Sequence, residues 1–286
     1  MKKISITSYL FFLLLSICLL NTNSFISFEE EISISQTSLY QGSFIEITAP
    51  LELSEAKVVF ANNTYNFWLE EKKAIALIPV SYWLEPGEYL LSILDNQGLK
   101  LKEWSINLKD GQFDSSYLTV SRENREKVRP TDPKRQKRQE QERQLVYQAR
   151  STTSSKRLWT KDFKWPLEGR RTTGFGATRY HNGVLANRHN GIDIAAVEGT
   201  AIKAVNCGKV VLADNLLSTG KTIIIDHGWN VFSSYLHHSK LKVSVGDKVE
   251  RGQVIALVGE TGFATGPHLH WSMSIGRTFV NPEDFF

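Results

Sequence analysis

The stretch Gly266-Pro-His-Leu-His-Trp271 places two histidines two residues apart in a segment that is typical of a β-strand. Residues i and i+2 of a strand share one face, so His268 and His270 point into the same space while Leu269 packs behind them. Two ring nitrogens on one face suit a metal ion together with an acid–base partner. The stretch therefore predicts a sheet with a chemical site on one of its faces.

A second segment supplies further donors for such a site. All seven histidines lie between His181 and His270, and within that window His189 precedes Asp193 by four residues. If residues 192–194 form a strand, Asp193 points away from its two isoleucine neighbours and can face a cleft. Imidazole and carboxylate donors without a thiolate favour one zinc ion (Zn²⁺), and three protein ligands leave a fourth position for water.

Composition changes along the chain predict an all-β protein in four segments. These are a signal peptide at 1–24, an immunoglobulin-like β-sandwich at 25–110, a charged and partly helical linker at 111–158, and a β domain at 159–286. Both β regions show short apolar runs separated by turn residues, which is the pattern of antiparallel strands. The first of them has no cluster of histidines, cysteines or acids, so we interpret it as a spacer or docking module.

The linker carries basic residues at 134–138, but Glu140 and Glu142 follow directly and no aromatic residues are interleaved. This pattern favours a solvated helix over a nucleic-acid-binding arm. The whole chain has 286 residues and a net charge of +4, which is too small and too dispersed to indicate a nucleic acid partner. With 41% hydrophobic residues the chain can bury a sizeable core, which excludes disorder throughout.

The N-terminal segment is typical of an export signal. Lys2 and Lys3 precede an apolar run at residues 9–20, and small polar residues follow. Twelve residues make only about 18 Å of helix, so we expect no stable membrane span in the mature protein, although an uncleaved anchor stays an alternative. Cys18 follows the bulky Ile17, which argues against a lipoprotein signal. The predicted location is the periplasm or cell envelope, with release from the cell as the other option.

A longer series of motifs resembles the lysostaphin-type (LytM-like) peptidoglycan zinc metalloendopeptidases over about residues 165–286. The matching segments occur in the family's order and spacing, and they begin at His189-Asn-Gly-Ile-Asp193, Gly199-Thr-Ala, Gly208-Lys-Val-Val, Tyr235-Leu-His237, Val245-Gly-Asp-Lys-Val and Gly259-Glu-Thr-Gly. The last of these continues into the stretch that ends at Trp271.

The resemblance implies a C-terminal antiparallel β-sheet groove domain and a site built from five side chains. It implies that His189, Asp193 and His270 hold zinc, and that His237 and His268 are catalytic. Which of these two histidines is the general base does not follow from their spacing. In the family, the position of Arg179 is usually structural and that of His238 usually apolar. We therefore expect His238 to be partly exposed and passive, and His227 to be a turn residue.

The resemblance implies an exported zinc metalloendopeptidase that hydrolyses peptide cross-links or stem peptides of bacterial peptidoglycan. The alternative is a catalytically inactive relative that binds the wall or activates an amidase, although such relatives typically lack a zinc ligand. The segment 245–256 also resembles the hairpin of lipoyl and biotinyl carrier domains, but it lacks their modified-lysine turn. A regulatory protein that acts through the N-terminal domain is an open option, as is a linker that covers the groove.

Overall fold

The computed structural model describes residues 31–160 and 162–286. The predicted signal peptide and Cys18 lie outside these residues. The described chain is mostly β-sheet, so the all-β prediction is confirmed, whereas the immunoglobulin-like arrangement and the domain limits stay predictions. Among the helices of the described residues, none is both long enough and apolar enough to cross a membrane.

Residues 31–109 contain nine strands, most of which alternate buried and exposed residues. In β4, for example, Val58 and Phe60 are buried and their neighbours are not. These strands form a four-stranded sheet in the order β1-β3-β7-β6 and a five-stranded sheet in the order β2-β9-β8-β4-β5. Their bounds are β1 Ser33–Ile34, β2 Ser38–Tyr40, β3 Phe44–Pro50, β4 Lys57–Phe60, β5 Asn63–Asn66, β6 Trp68–Glu70, β7 Lys73–Pro79, β8 Gly87–Leu94 and β9 Lys100–Lys109.

The chain divides into two compact units. The first contains the described residues up to Thr37 together with Glu46–Ala76 and Tyr89–Ser105. The second contains Ser38–Ile45, Leu77–Glu88 and Ile106–Phe286. The second unit holds all seven histidines, so the candidate site lies within it.

The charged segment after β9 forms one strand and two helices, which are β10 (Ser115–Leu118), α1 (Arg122–Val128) and α2 (Pro133–Ala149). The start of α2 follows from its sequence, because the Asp132 side chain accepts a hydrogen bond from the Arg135 amide and Pro133 occupies the first turn. Val146 and Ala149 of α2 pack against a buried apolar cluster of the following sheet. This helix is therefore docked on the C-terminal domain.

The C-terminal region is built on an eight-stranded sheet in the order β11-β14-β22-β18-β17-β16-β20, with β23 paired to β22. Two three-stranded sheets, β10-β12-β13 and β15-β21-β19, accompany it. The bounds are β11 Arg170–Thr173, β12 Thr178–His181, β13 Val184–Arg188, β14 Ile192–Ala195, β15 Ala201–Lys203, β16 Gly208–Leu216, β17 Gly220–Asp226, β18 Val231–His238, β19 Lys240–Leu241, β20 Lys248–Val249, β21 Val254–Leu257, β22 His268–Ile275 and β23 Thr278–Val280. Short 3-10 helices lie at Leu51–Leu53 and Pro282–Phe285.

Strand β22 lies in the middle of the large sheet, between β14 and β18. On one of its faces Leu269, Trp271 and Met273 are wholly buried in the core. His268, His270 and Ser272 alternate with them and therefore project from the opposite face. The neighbouring strands align Asp193 and Leu236 with His270, so residues far apart in the sequence meet on this face.

Candidate metal centre

Three buried side chains bring their donor atoms together where β14 pairs with β22. His189 Nε2 lies 3.0 Å from Asp193 Oδ1, and His270 Nδ1 lies 2.9 Å from the same oxygen. The two ring nitrogens are 2.9 Å apart. His189 reaches the group from the turn before β14, whereas Asp193 and His270 are cross-strand partners. The pairing of the two strands thus assembles the trio.

The protonation of these groups makes the trio a suitable cation site. His189 Nδ1 lies 2.8 Å from the Gly174 carbonyl, which can only accept, so the neutral ring keeps its proton there and presents a lone pair at Nε2. That lone pair faces a carboxylate oxygen, and these two electron-rich atoms repel each other unless a proton or a cation lies between them. Two imidazoles and one carboxylate are a donor set that zinc accepts. The residues present therefore fit a zinc ion.

The carboxylate of Asp193 is held in its ionised form. Burial by itself raises the pKa of this group, but its contacts with His189 and His270 outweigh burial and keep the pKa well below its usual value. Arg179 on β12 donates from Nη2 to Asp193 Oδ2 at 2.5 Å. Because Arg179 occupies this oxygen, Oδ1 stays directed at the two histidines. The sequence marked Arg179 only as a structural position, and its contact with Asp193 requires the fold.

The two further histidines lie beside this trio. The rings of His237 and His268 are 4.8 Å apart between centroids, and His268 Nε2 lies 3.9 Å from Asp193 Oδ1. Each ring has its Nδ1 at 2.8 Å from a backbone carbonyl, that of Thr261 for His237 and that of Gly266 for His268. In the neutral rings the proton therefore resides on Nδ1 and the Nε2 lone pair is open. Burial, and then repulsion by His268 and His270, lowers the pKa of His237 to about 3.

A local irregularity in β18 positions His237. Leu236 is aligned with His270, and simple alternation along the strand would turn His237 to the other face of the sheet. His237 instead adopts a φ of 69°, close to a register shift between β17 and β18. Its side chain consequently lines the same cavity as His268 and Asp193.

The expectation for His238 is wrong, because this residue is completely buried rather than partly exposed. It ends β18, an interior strand of the large sheet in which most residues are buried, so no solvent reaches its side chain. His227 is also buried directly after β17, where its ring contacts the Cys207 carbonyl and the Ser233 hydroxyl. His181 lies at the end of β12, next to Phe263. None of these three belongs to the trio.

A cavity of about 340 Å³ opens beside these groups. Asp193, His237 and His268 line it on the side of the large sheet, and the loop before β22 contributes Phe263. Strand β10 contributes Ser116 and Leu118, which belong to the segment that we predicted as a linker. No sequence motif marked these two residues, because they reach the cavity only through the parallel pairing of β10 with β12.

Comparisons with known proteins point to one family. A family model described as peptidase family M23 matches residues 187–282. Over 123 residues the chain is 39% identical to the peptidoglycan DD-endopeptidase ShyA of Vibrio cholerae, and over 119 residues it is 37% identical to the murein hydrolase activator EnvC of Escherichia coli. Each match covers 42% of this chain but only 27% of the relative, so the chain matches about a quarter of the relatives' length.

One solved structure resembles the chain over most of its length. It is described as a putative peptidase M23 from Pseudomonas aeruginosa, and it is 27% identical with a TM-score of 0.62. The match covers 84% of this chain and 92% of that protein's chain. The likeness therefore extends beyond the segment that the family model matches.

Proposed function

The chain belongs to peptidase family M23 through residues 187–282, and on that premise we propose that it is an exported zinc metalloendopeptidase. Its substrates are the peptide cross-links or stem peptides of bacterial peptidoglycan. The observation that carries this proposal is that the donor atoms of His189, Asp193 and His270 lie within 3.0 Å of one another. His237 and His268 lie beside them and line the same cavity as Asp193. The similarity to a peptidoglycan DD-endopeptidase supports the choice of substrate.

His189, Asp193 and His270 would hold the zinc ion through the three atoms that already converge. When bound, zinc supplies a Lewis acid and a nucleophilic water near neutral pH. The contact with Arg179 keeps Asp193 oriented, and the contacts with His189 and His270 hold its pKa well below the usual value, so that it contributes its negative charge at neutral pH. The carbonyl of Gly174 keeps the lone pair of His189 directed at the site.

His237 and His268 carry out the proton transfer, and a ring that has taken up a proton at Nε2 can then donate a hydrogen bond to the developing oxyanion. Backbone carbonyls hold both rings with Nε2 open, which is the atom that can accept a proton from the nucleophile and return it to the leaving amine. Burial keeps His237 neutral well below neutral pH, so it is available as an acceptor. The second ring lies close enough to act on the same substrate.

The other candidate is a protein that binds the wall or activates another hydrolase without cutting peptides. The similarity to the murein hydrolase activator EnvC favours it. The intact donor set argues for the enzyme, because an activator has no need for three converging metal ligands and two aligned histidines. Zinc-loaded protein that stimulates an amidase but releases no peptide fragments from purified peptidoglycan would establish this second candidate.

Two substitutions test the enzyme proposal. His268→Ala should keep about one zinc ion per chain and lower hydrolysis by about 10²- to 10⁴-fold, because it removes a proton-transfer group but no metal ligand. His189→Ala should lose both the zinc and the activity, because it removes a ligand. Metal content is measured by mass spectrometry beside the release of muropeptides, whose masses identify the bond that is cut. Fully active, zinc-loaded His268→Ala protein would contradict the assignment.

A further inference from the structure

A second cavity, of about 230 Å³, is lined by His270 of the candidate metal centre. Its floor is the face of the large sheet that carries the metal centre, with Ser234, Leu236 and Ser272 beside His270. Helix α2 covers it, and Arg143 of that helix, whose side chain is 64% exposed, lines its outer side. His270 thus lines this cavity, while its metal-centre partner Asp193 lines the cavity that contains His237 and His268.

Arg150, at the C-terminal end of α2, points into this second cavity. Its Nη2 donates to Ser234 Oγ at 2.7 Å, and its guanidinium carbon lies 4.7 Å from the centre of the Phe279 ring. Its Nε is buried and has no hydrogen-bond partner among the described residues. Burial lowers the pKa of Arg150 to about 10, so the side chain is still a cation at neutral pH.

The charge of Arg150 has no counterion, unlike that of other arginines on the same helix. Arg138 pairs with Glu142, and Arg143 pairs with Glu140, whereas no carboxylate pairs with Arg150 within residues 31–160 and 162–286. Arg150 is only half-buried, but a guanidinium that is partly removed from water without a counterion still costs free energy, and docking of the helix does not by itself require a charge at this position. Because the guanidinium of Arg150 lines a cavity and has no counterion, it is well suited to bind a carboxylate.

The position of Arg150 indicates which part of a substrate could supply such a carboxylate. Ser234, which Arg150 contacts, is aligned with Ser272, and Ser272 lies two residues from His270 on β22. Two residues of strand correspond to about 7 Å. A peptide whose reacting bond lies at the metal centre would therefore bring a group about two residues away to Arg150.

We propose that Arg150, oriented by Ser234, forms a subsite that binds a free carboxylate of the peptide substrate about two residues from the bond that is cut. The proposal rests on the proposed function, because it places a substrate peptide across the metal centre. It assigns a specificity role to the segment between the two β regions, outside the part of the chain that the family model matches. Arg150 is a binding residue here and takes no part in the proton transfers.

The test compares two forms of one substrate. Muropeptide dimers are prepared from purified peptidoglycan, and one portion has its carboxylates converted to carboxamides. We expect the full-length, zinc-loaded protein to prefer the carboxylate form by about 10- to 100-fold in kcat/KM. In Arg150→Gln this preference should disappear, because kcat/KM for the carboxylate form falls to that for the carboxamide form. Arg143→Gln is the matched control, because that arginine lines the same cavity but already has an acidic partner, and it should keep the preference.

A purely structural role for Arg150 predicts a different result. If Arg150 only docks the helix, Arg150→Gln should lower the unfolding temperature and affect both dimers equally, and this outcome would overturn the proposal. Should Arg150→Gln fail to fold, Arg150→Lys keeps the charge but loses the forked donors, and we expect about a 3- to 10-fold smaller preference for the carboxylate form. An unchanged preference in Arg150→Lys, with the fold intact, would likewise overturn the proposal.

Binding measurements separate this proposal from the proposed function. Titration calorimetry of zinc-loaded His268→Ala with both dimers reports the subsite without turnover, and we expect tighter binding of the carboxylate form. If the protein binds the carboxylate form selectively through Arg150 but hydrolyses neither dimer, the enzyme proposal is contradicted and the subsite proposal is not. Protein that hydrolyses both forms with equal efficiency would contradict the subsite alone.

Discussion

His237 occupies a backbone conformation that most residues avoid. Its φ of 69° is in the left-handed region, where an L-residue with a β-carbon loses about 1–2 kcal/mol. The conformation turns the imidazole towards His268, away from the face that alternation along β18 assigns to it. Strain of this kind is retained where the surrounding structure holds the side chain in one place, so we expect His237 to lower the stability of the fold.

Because the backbone at His237 is strained, a glycine variant should be more stable there than an alanine variant, which is the reverse of the usual order. His237→Gly should be more stable than His237→Ala by about 1 kcal/mol, because glycine adopts the left-handed region without cost. Urea unfolding of both variants gives the difference in free energy. At His268, which has an ordinary φ in a strand, the alanine variant should be the more stable one. Equal or greater stability of His237→Ala would show that the backbone there is not strained.

His238 is buried directly beside this strained residue and makes the fold sensitive to acid. Burial lowers its pKa to about 3, against a smaller opposite effect of the Tyr235 backbone. Because the unfolded chain has the ordinary value of about 6.5, only the unfolded state binds this proton between pH 6.5 and 3. Stability that is present above pH 6.5 is therefore lost as the pH falls through this window.

Replacing His238 with leucine should remove part of this acid sensitivity. Between pH 7 and pH 5 we expect His238→Leu to lose about 2 kcal/mol less free energy of unfolding than the unsubstituted protein. Urea denaturation at the two pH values provides the measurement. The difference between the proteins isolates His238, because buried His227 and Asp193 contribute to both. Parallel losses in the two proteins would mean that His238 is protonated in the folded state.

At the scale of elements, helix α2 has a mostly polar sequence and yet packs against the large sheet. Most of its residues are exposed, in agreement with its charged composition, yet Val146 and Ala149 pack against Leu212, Leu216, Ile224 and Phe232. Polar contacts add to this docking, since Glu142 accepts the Leu217 amide and Arg138 donates to the Asn215 carbonyl. The apolar residues Leu145, Val146, Tyr147 and Ala149 are confined to the last five positions of the helix and give it no apolar periodicity, so the sequence alone favoured a solvated helix.

Docking of α2 predicts that its few apolar residues contribute to stability. Val146→Ala should lower the free energy of unfolding by about 1 kcal/mol, because it removes two partly buried methyl groups. Lys137→Ala on the exposed side of the same helix should change it by less than about 0.5 kcal/mol. Thermal unfolding of both variants is the measurement. A neutral Val146→Ala variant would indicate that α2 does not depend on the sheet in solution.

At the scale of the whole molecule, the candidate metal centre links separate parts of the second unit. His189 precedes β14, Asp193 lies on β14 and His270 on β22, while Arg179 on β12 fixes the carboxylate from a different sheet. A bound ion would add one further connection among these elements. Binding to the folded state alone stabilises it by about 2.7 kcal/mol when the free metal is at a hundred times its Kd.

Metal removal should therefore lower the unfolding temperature as well as the activity. We expect a chelator to decrease the unfolding temperature by several degrees, and added zinc to restore it. The control is His189→Ala, whose unfolding temperature should not respond to either treatment. Scanning calorimetry on both proteins provides the measurement. An unsubstituted protein that is indifferent to the chelator would argue against a metal at His189, Asp193 and His270.

The sequence by itself determined the strands and the candidate donors, because both depend on short-range order. Alternation of apolar residues marks a strand, and the two-residue spacing of His268 and His270 puts them on one face whatever the strand pairs with. The spacing of His189 and Asp193 and the family motifs added the remaining members. These features are local, so they are readable without the fold.

Only the tertiary structure decided how these donors are oriented and enclosed. The left-handed turn of His237, the burial of His238, the contact of Arg179 with Asp193 and the unpaired charge of Arg150 all arise from pairings between distant segments. Periodicity in one segment carries no information about which other segment will pack against it. The charged segment between the two β regions lines both cavities beside the candidate metal centre. Because its own sequence does not show which segments it packs against, the sequence predicted only a linker there.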